Sequence, residues 1–167
     1  MQYIGIDPGQ NGGIAVLDKH GYHCAWPMPV FHKDIRKERG GAIDWASVEY
    51  HIKGEHDESY HVILEKVWGM PGQGATSTFN FGGAYHGMLA VIQTLGHDYS
   101  LVVPRTWKKA VLADTYSHDK AGAAAFCDYT YPLVGLVAPR CRTIHDGMAD
   151  ALCLAHYGAQ EQPQSVR

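Results

Sequence analysis

Ile4-Gly5-Ile6-Asp7-Pro8-Gly9-Gln10-Asn11-Gly12-Gly13-Ile14-Ala15-Val16-Leu17 governs how the rest of the chain is read. Two apolar runs flank a bend dense in turn formers, the pattern of a β-hairpin with a wide, glycine-rich turn. The first run closes on a carboxylate. A charged residue at the end of an apolar strand must escape to solvent, find a partner or bind a metal. Asp7 is therefore the first candidate functional residue.

Working outward, the spacing predicts a third strand over 22–26, ended by Pro27 and Pro29. A polar, basic loop over 30–42 leads to a helix over 45–53 that Asp44 can cap. Residues 61–65 read as a buried strand that again ends on a carboxylate, Glu65. The apolar period over 76–95 predicts a helix closed by Gly96. A short strand over 101–103, helices over 105–113 and 119–130, and a last helix over 145–157 complete the pattern. Three meandering strands followed by alternating helices and strands give an α/β layer fold with a mixed sheet. One domain is expected over 1–158, with 159–167 as a disordered tail.

The last helix adds a second acidic pair. Asp146 and Asp150, at i and i+4, share one helical face with Cβ atoms about 6 Å apart, while Met148, Ala151, Leu152 and Ala155 point to the core. Like charges at this spacing repel unless a cation lies between them. Each acid alone also fits a plainer role, a solvated helix face or a rim salt bridge. Together, four Asp and Glu oxygens without zinc-spaced Cys or His suit a hard cation such as Mg2+ or Mn2+. Two such ions can drive phosphodiester hydrolysis.

Composition limits the alternatives. At 167 residues, 46% hydrophobic and 19% charged, the chain suits one soluble domain, without an apolar run that could span a membrane, and a cytoplasmic location is expected. Cys24, Cys127, Cys141 and Cys153 form no CxxC pair and read as reduced fillers. The net charge of -3 is unusual for a nucleic-acid binder. However, nine of the fourteen Lys and Arg residues fall in three short patches: Lys33, Arg36, Lys37 and Arg39; Arg105, Lys108 and Lys109; Arg140 and Arg142. Two bound divalent cations would bring the sum to about +1.

These residues resemble the RuvC-like Holliday junction resolvases of the RNase H-like superfamily. The resemblance covers the opening Ile4 to Gly9, the middle Leu64-Glu65-Lys66-Val67-Trp68, and the closing His145-Asp146-Gly147-Met148-Ala149-Asp150-Ala151-Leu152. It implies a five-stranded mixed sheet flanked by helices, and it assigns catalysis and metal binding to Asp7, Glu65, Asp146 and Asp150. Bacterial RuvC usually spaces its last two acidic positions three apart, which would fall on Gly147. The spacing of four here looks more like phage and mitochondrial relatives, so Asp150 is the firmer of the pair, and His145 is a further candidate metal ligand or proton donor.

The resemblance also puts Trp68 at the family's junction-stacking aromatic, although a Trp there can equally pack in the core. Lys108 or Lys109, and Lys120, match basic positions near the scissile phosphate. Arg105, Trp107 and the 33–39 patch are candidates for DNA backbone contacts. The implied substrate is branched DNA, a four-way junction, and the implied assembly is a homodimer, with Gly82-Gly83-Ala84-Tyr85-His86-Gly87 as one place for close subunit packing. Competing readings are a flap or RNA-DNA hybrid nuclease, a non-catalytic junction binder, and an actin-like ATPase or kinase. The last needs two such lobes, and this chain holds one.

Overall fold

The computed structural model describes residues 1–18, 23–31, 42–54, 59–69, 72, 74–162 and 165. The expected hairpin forms from β1 (Gln2–Asp7) and β2 (Gly13–Leu17), and β3 (His23–Pro27) continues the antiparallel meander. On the other side of β1, β4 (Tyr60–Glu65) and β5 (Asp98–Val102) add in parallel. The five-stranded sheet has the order β3-β2-β1-β4-β5.

Helices cover both faces. One core layer joins Ile4, Ile6, Ile14, Val62 and Leu64 to α1 (Trp45–Ile52) and α2 (Ala75–Thr94). The other joins Ala15, Leu17, Ile63 and Val102 to α3 (Pro104–Val111), α4 (Lys120–Thr130) and α5 (Asp146–Glu161). Asp44 caps α1 as anticipated, its carboxylate accepting from Ser47 N at 3.3 Å.

Glycine lets α5 lie directly on the sheet. A Cβ at position 5 would collide with the backbone of Ala151 and Ala155, and one at 147 with Asn11 O and Gly12. Close backbone approach of this kind is open only to glycine. The two contacts fix the direction of α5, with its N-terminus over the carboxyl end of β1.

Two expectations are corrected. β5 starts at Asp98, three residues before the expected strand: Tyr99 and Ser100 are buried despite their polar groups, and Ser100 Oγ lies 2.8 Å from His61 Nε2. α5 runs through Glu161, past the anticipated domain end at 158. Ala159 packs against the core, so this part of the expected tail is helix.

Candidate active site

Strand alternation aims the first two acids. Residues 3, 5 and 7 of β1 share a face, as do 61, 63 and 65 of β4. The parallel register pairs Ile6 with Leu64, which leaves Asp7 and Glu65 side by side at the strand ends on the α5 face. Asp150, one turn into α5, joins them. Electrostatic coupling links these three: Glu65 and Asp150 both raise Asp7, and Asp150 raises Glu65.

Burial dominates their chemistry. Desolvation, then repulsion from Glu65 and Asp150, pushes the Asp7 carboxyl up to about 7 from 3.8, with Lys120 and Lys108 opposing. Burial likewise raises Glu65, opposed by a hydrogen bond from Trp107. It raises Asp150 too, with Lys108 opposing. Asp150 Oδ1 is buried without a hydrogen-bond partner. An orphaned buried carboxylate oxygen is costly unless a cation satisfies it.

Asp146 lies at the edge of this trio, where its charge raises Asp150. Its Oδ2 pairs with Lys120 Nζ at 2.8 Å, and its side chain is 46% exposed. Gly147, between the two acids, has no room for a side chain against the β1–β2 turn. His145 caps α5, its Nδ1 accepting from Met148 N at 3.3 Å.

Of the basic candidates, Lys108 and Lys120 act electrostatically on Asp7 and Asp150. Lys108 lies with Nζ 5.3 Å from the centre of the Trp107 ring and 3.5 Å from His118 O. Lys109 and Arg105 are exposed on α3, and neither is among the charges that shift the three carboxylates. Lys33, Arg36, Lys37 and Arg39 lie outside the described residues. Trp68, three residues past Glu65, is 55% exposed, which removes the core-packing alternative.

Trp107 is a correction. Rather than reaching for DNA, it is fully buried, and its Nε1–H donates to Glu65 Oε1 at 2.9 Å. The sequence held a signal for this: its apolar neighbours along α3, Val103 and Val111, lie on the same helical face, the one an aromatic residue would share with the core.

No protein-family model and no curated protein sequence matches the chain. Solved structures do. Thermus thermophilus RuvC superposes with a TM-score of 0.54 at 16% identity, over 99% of this chain and 100% of that one. T. thermophilus RuvC in complex with a Holliday junction substrate superposes with a TM-score of 0.54 at 14% identity, with the same coverage. The RNase H-like architecture anticipated from sequence is thus the observed fold.

Proposed function

We propose that this chain, which has the fold of RuvC, is a structure-selective endonuclease that resolves four-way DNA junctions by paired, metal-dependent phosphodiester hydrolysis. The observation that supports this most is the gathering of Asp7, Glu65 and Asp150 on one face of the sheet. It occurs in a fold whose solved neighbour was captured on a Holliday junction.

Among the described residues no three Asp, Glu, His or Cys side chains are placed closely enough to hold a metal ion as they stand. The residues nevertheless suit a hard cation: three desolvated carboxylates repel one another, and Asp150 Oδ1 lacks a partner. Asp7, Glu65 and Asp150 would hold Mg2+ or Mn2+, with Asp146 at the rim as a fourth donor once released from Lys120. Two such ions, when bound, supply an activated water and steady the charge that develops on the phosphate and the leaving oxygen.

The protein's own contributions follow from its geometry. Trp107 fixes one oxygen of Glu65 and leaves the other available. Lys108 and Lys120 place positive charge beside the carboxylates, where a phosphate diester would lie. Trp68 offers an exposed ring for an unpaired base. Arg105 and Lys109 extend the positive surface along α3.

Two symmetric nicks need two sites, so the working form is a homodimer. Along α2, Ala84, Tyr85 and Met88 face the sheet, whereas Phe79 is 80% exposed and Gly82 and Gly83 look into open space. This is the face offered to a second copy. No helix among the described residues is long and apolar enough to cross a membrane, and action on cytoplasmic DNA fits this reading.

The test is cleavage of a four-way junction beside linear duplex, flap and RNA-DNA hybrid, with Mg2+, Mn2+ or EDTA. Junction-selective cutting lost in EDTA is expected. Preferential cutting of flap or hybrid would keep the carboxylate site and replace the substrate.

A further inference from the structure

Two buried thiols take no part in the chemistry proposed above. Cys127 of α4 and Cys153 of α5 are both free and fully buried, and their sulfurs lie 3.6 Å apart. We propose that this dithiol is a modification site, which hydrogen peroxide or a related two-electron oxidant converts to a disulfide that locks α4 to α5 and slows DNA cleavage. The oxidation itself is independent of the nuclease reading; its effect on cleavage rests on that reading.

Small residues bring the two helices together. Ala123 lies one turn before Cys127 and Ala149 one turn before Cys153, and all four are fully buried. The sulfurs also meet backbone across the seam: Cys127 Sγ lies 3.5 Å from Ala149 O, and Cys153 Sγ 4.0 Å from Ala123 O. Each thiol is thus held against the opposite helix. A disulfide sets its sulfurs about 2 Å apart, so this pair must close by roughly 1.5 Å. Rotation about the Cα–Cβ bonds and a small helix shift supply that distance.

The chemistry balances with peroxide alone. One thiolate attacks a peroxide oxygen, the O–O bond breaks, and a sulfenic acid forms as the first water leaves. The second sulfur attacks the sulfenic sulfur, the S–S bond forms, and the S–O bond breaks with loss of the second water. Two thiols together lose two electrons and two protons, and the peroxide becomes two waters. Burial sets the rate. The hydrogen bond with Cys127, then desolvation, pushes the Cys153 thiol up, so little thiolate exists while α4 is seated. Ala121, Ala125, Asp128 and Tyr129 are exposed along the other side of α4, which makes it an outer helix able to open locally. The pair therefore responds to sustained rather than brief oxidation.

The bond acts on the site through both helices. The Ala149 carbonyl that accepts from Cys127 belongs to the residue before Asp150, and α4 begins at Lys120, which pairs with Asp146. Closing the sulfurs withdraws the Cys127 thiol from Ala149 O and shifts one helix on the other beside the carboxylates. A displacement near 1 Å at a catalytic group costs up to about 100-fold in rate.

The experiment exposes the full native chain to hydrogen peroxide in its wild-type, Cys127→Ala, Cys153→Ala and Cys141→Ser forms. Free thiols are then alkylated in denaturant and linked peptides are mapped by mass spectrometry. Junction cleavage in Mg2+ is timed before oxidation, after it and after dithiothreitol. A linked Cys127 and Cys153 peptide pair should appear in the wild type and in Cys141→Ser, with cleavage slowed roughly 10- to 100-fold and restored by dithiothreitol. Cys127→Ala and Cys153→Ala should keep their cleavage rates through the same treatment. A pair that stays open to alkylation after the exposed Cys141 has oxidised overturns the site. A linked pair with unchanged cleavage overturns the lock. A wild type that cuts no junction before oxidation counts against the nuclease reading, and the peptide map still decides the dithiol.

Discussion

The indole N–H of Trp107 donates to Oε1 of Glu65 at 2.9 Å, and the face of the same ring lies 5.3 Å from the Lys108 ammonium. One buried side chain thus orients a carboxylate and a lysine of the site together. A hydrogen bond to a charged group is worth about 1.5–3 kcal/mol. Trp107→Phe keeps the ring and loses the donor. We expect a fall in kcat of roughly 10- to 100-fold with junction affinity unchanged. Single-turnover cleavage set beside junction binding by gel shift checks this; equal loss in both would mean that the bond serves folding alone.

The acidic trio makes the metal-free protein pH-sensitive. Asp7 has a folded-state pKa of about 7 against an ordinary 3.8, so between these values the folded state holds a proton that the unfolded state has released. Stability is then fully present below about pH 4 and is lost as pH rises towards 7, by a few kcal/mol at most. Glu65 and Asp150 shift in the same direction. Thermal unfolding in EDTA should show a lower Tm at pH 8 than at pH 5. Asp7→Asn should narrow that gap while abolishing cleavage and sparing junction binding. An unchanged gap would contradict the buried, raised carboxyl.

Asp146 and Asp150 should separate in their effects. Asp150 is desolvated among the other acids, while Asp146 is half exposed and paired with Lys120. Asp150→Asn should remove cleavage. Asp146→Asn should reduce it less, by roughly tenfold, as befits a donor at the rim that pairs with Lys120 in the metal-free protein. Equivalent loss in both variants, measured at saturating Mg2+, would make Asp146 a full member of the metal site.

Gly147→Asp places an acid three residues before Asp150, at the start of α5. Its Cβ would meet Asn11 O and the Gly12 backbone, so the β1–β2 turn must move. The expected result is a drop in stability of about 1–3 kcal/mol or more, with no gain in cleavage. Denaturant unfolding measures the first and junction cleavage the second.

Trp68 projects from the segment after β4 with more than half its surface exposed. Stacking on an unpaired base is worth about 1–3 kcal/mol. Trp68→Ala should therefore slow cutting of intact junctions by roughly 5- to 100-fold and of pre-nicked junctions far less. Equal slowing on both substrates would remove the stacking role.

Much of this site is visible in the chain because strand and helix periods act locally. Two strands ending on Asp7 and Glu65, and a helix carrying Asp150 over small residues, are patterns of a few residues each. Partnerships between distant segments were less accessible. Trp107 and Glu65 lie far apart in sequence and meet only because α3 folds back on the β4 end. The buried Ser100 and His61 pair hid the start of β5, since each looks polar alone. The preference for Lys108 over Lys109 depended on the rotation of α3 about its axis, which is set by the burial of Trp107.

The measurement that tests the central claim most directly is nick mapping on both strand pairs of a synthetic four-way junction cut by the wild-type chain in Mg2+. Paired nicks related by two-fold symmetry at the crossover, absent in EDTA and absent with Asp7→Asn, are the predicted result. Unpaired nicks scattered along the arms, or cutting that persists in EDTA, would contradict a metal-dependent junction resolvase.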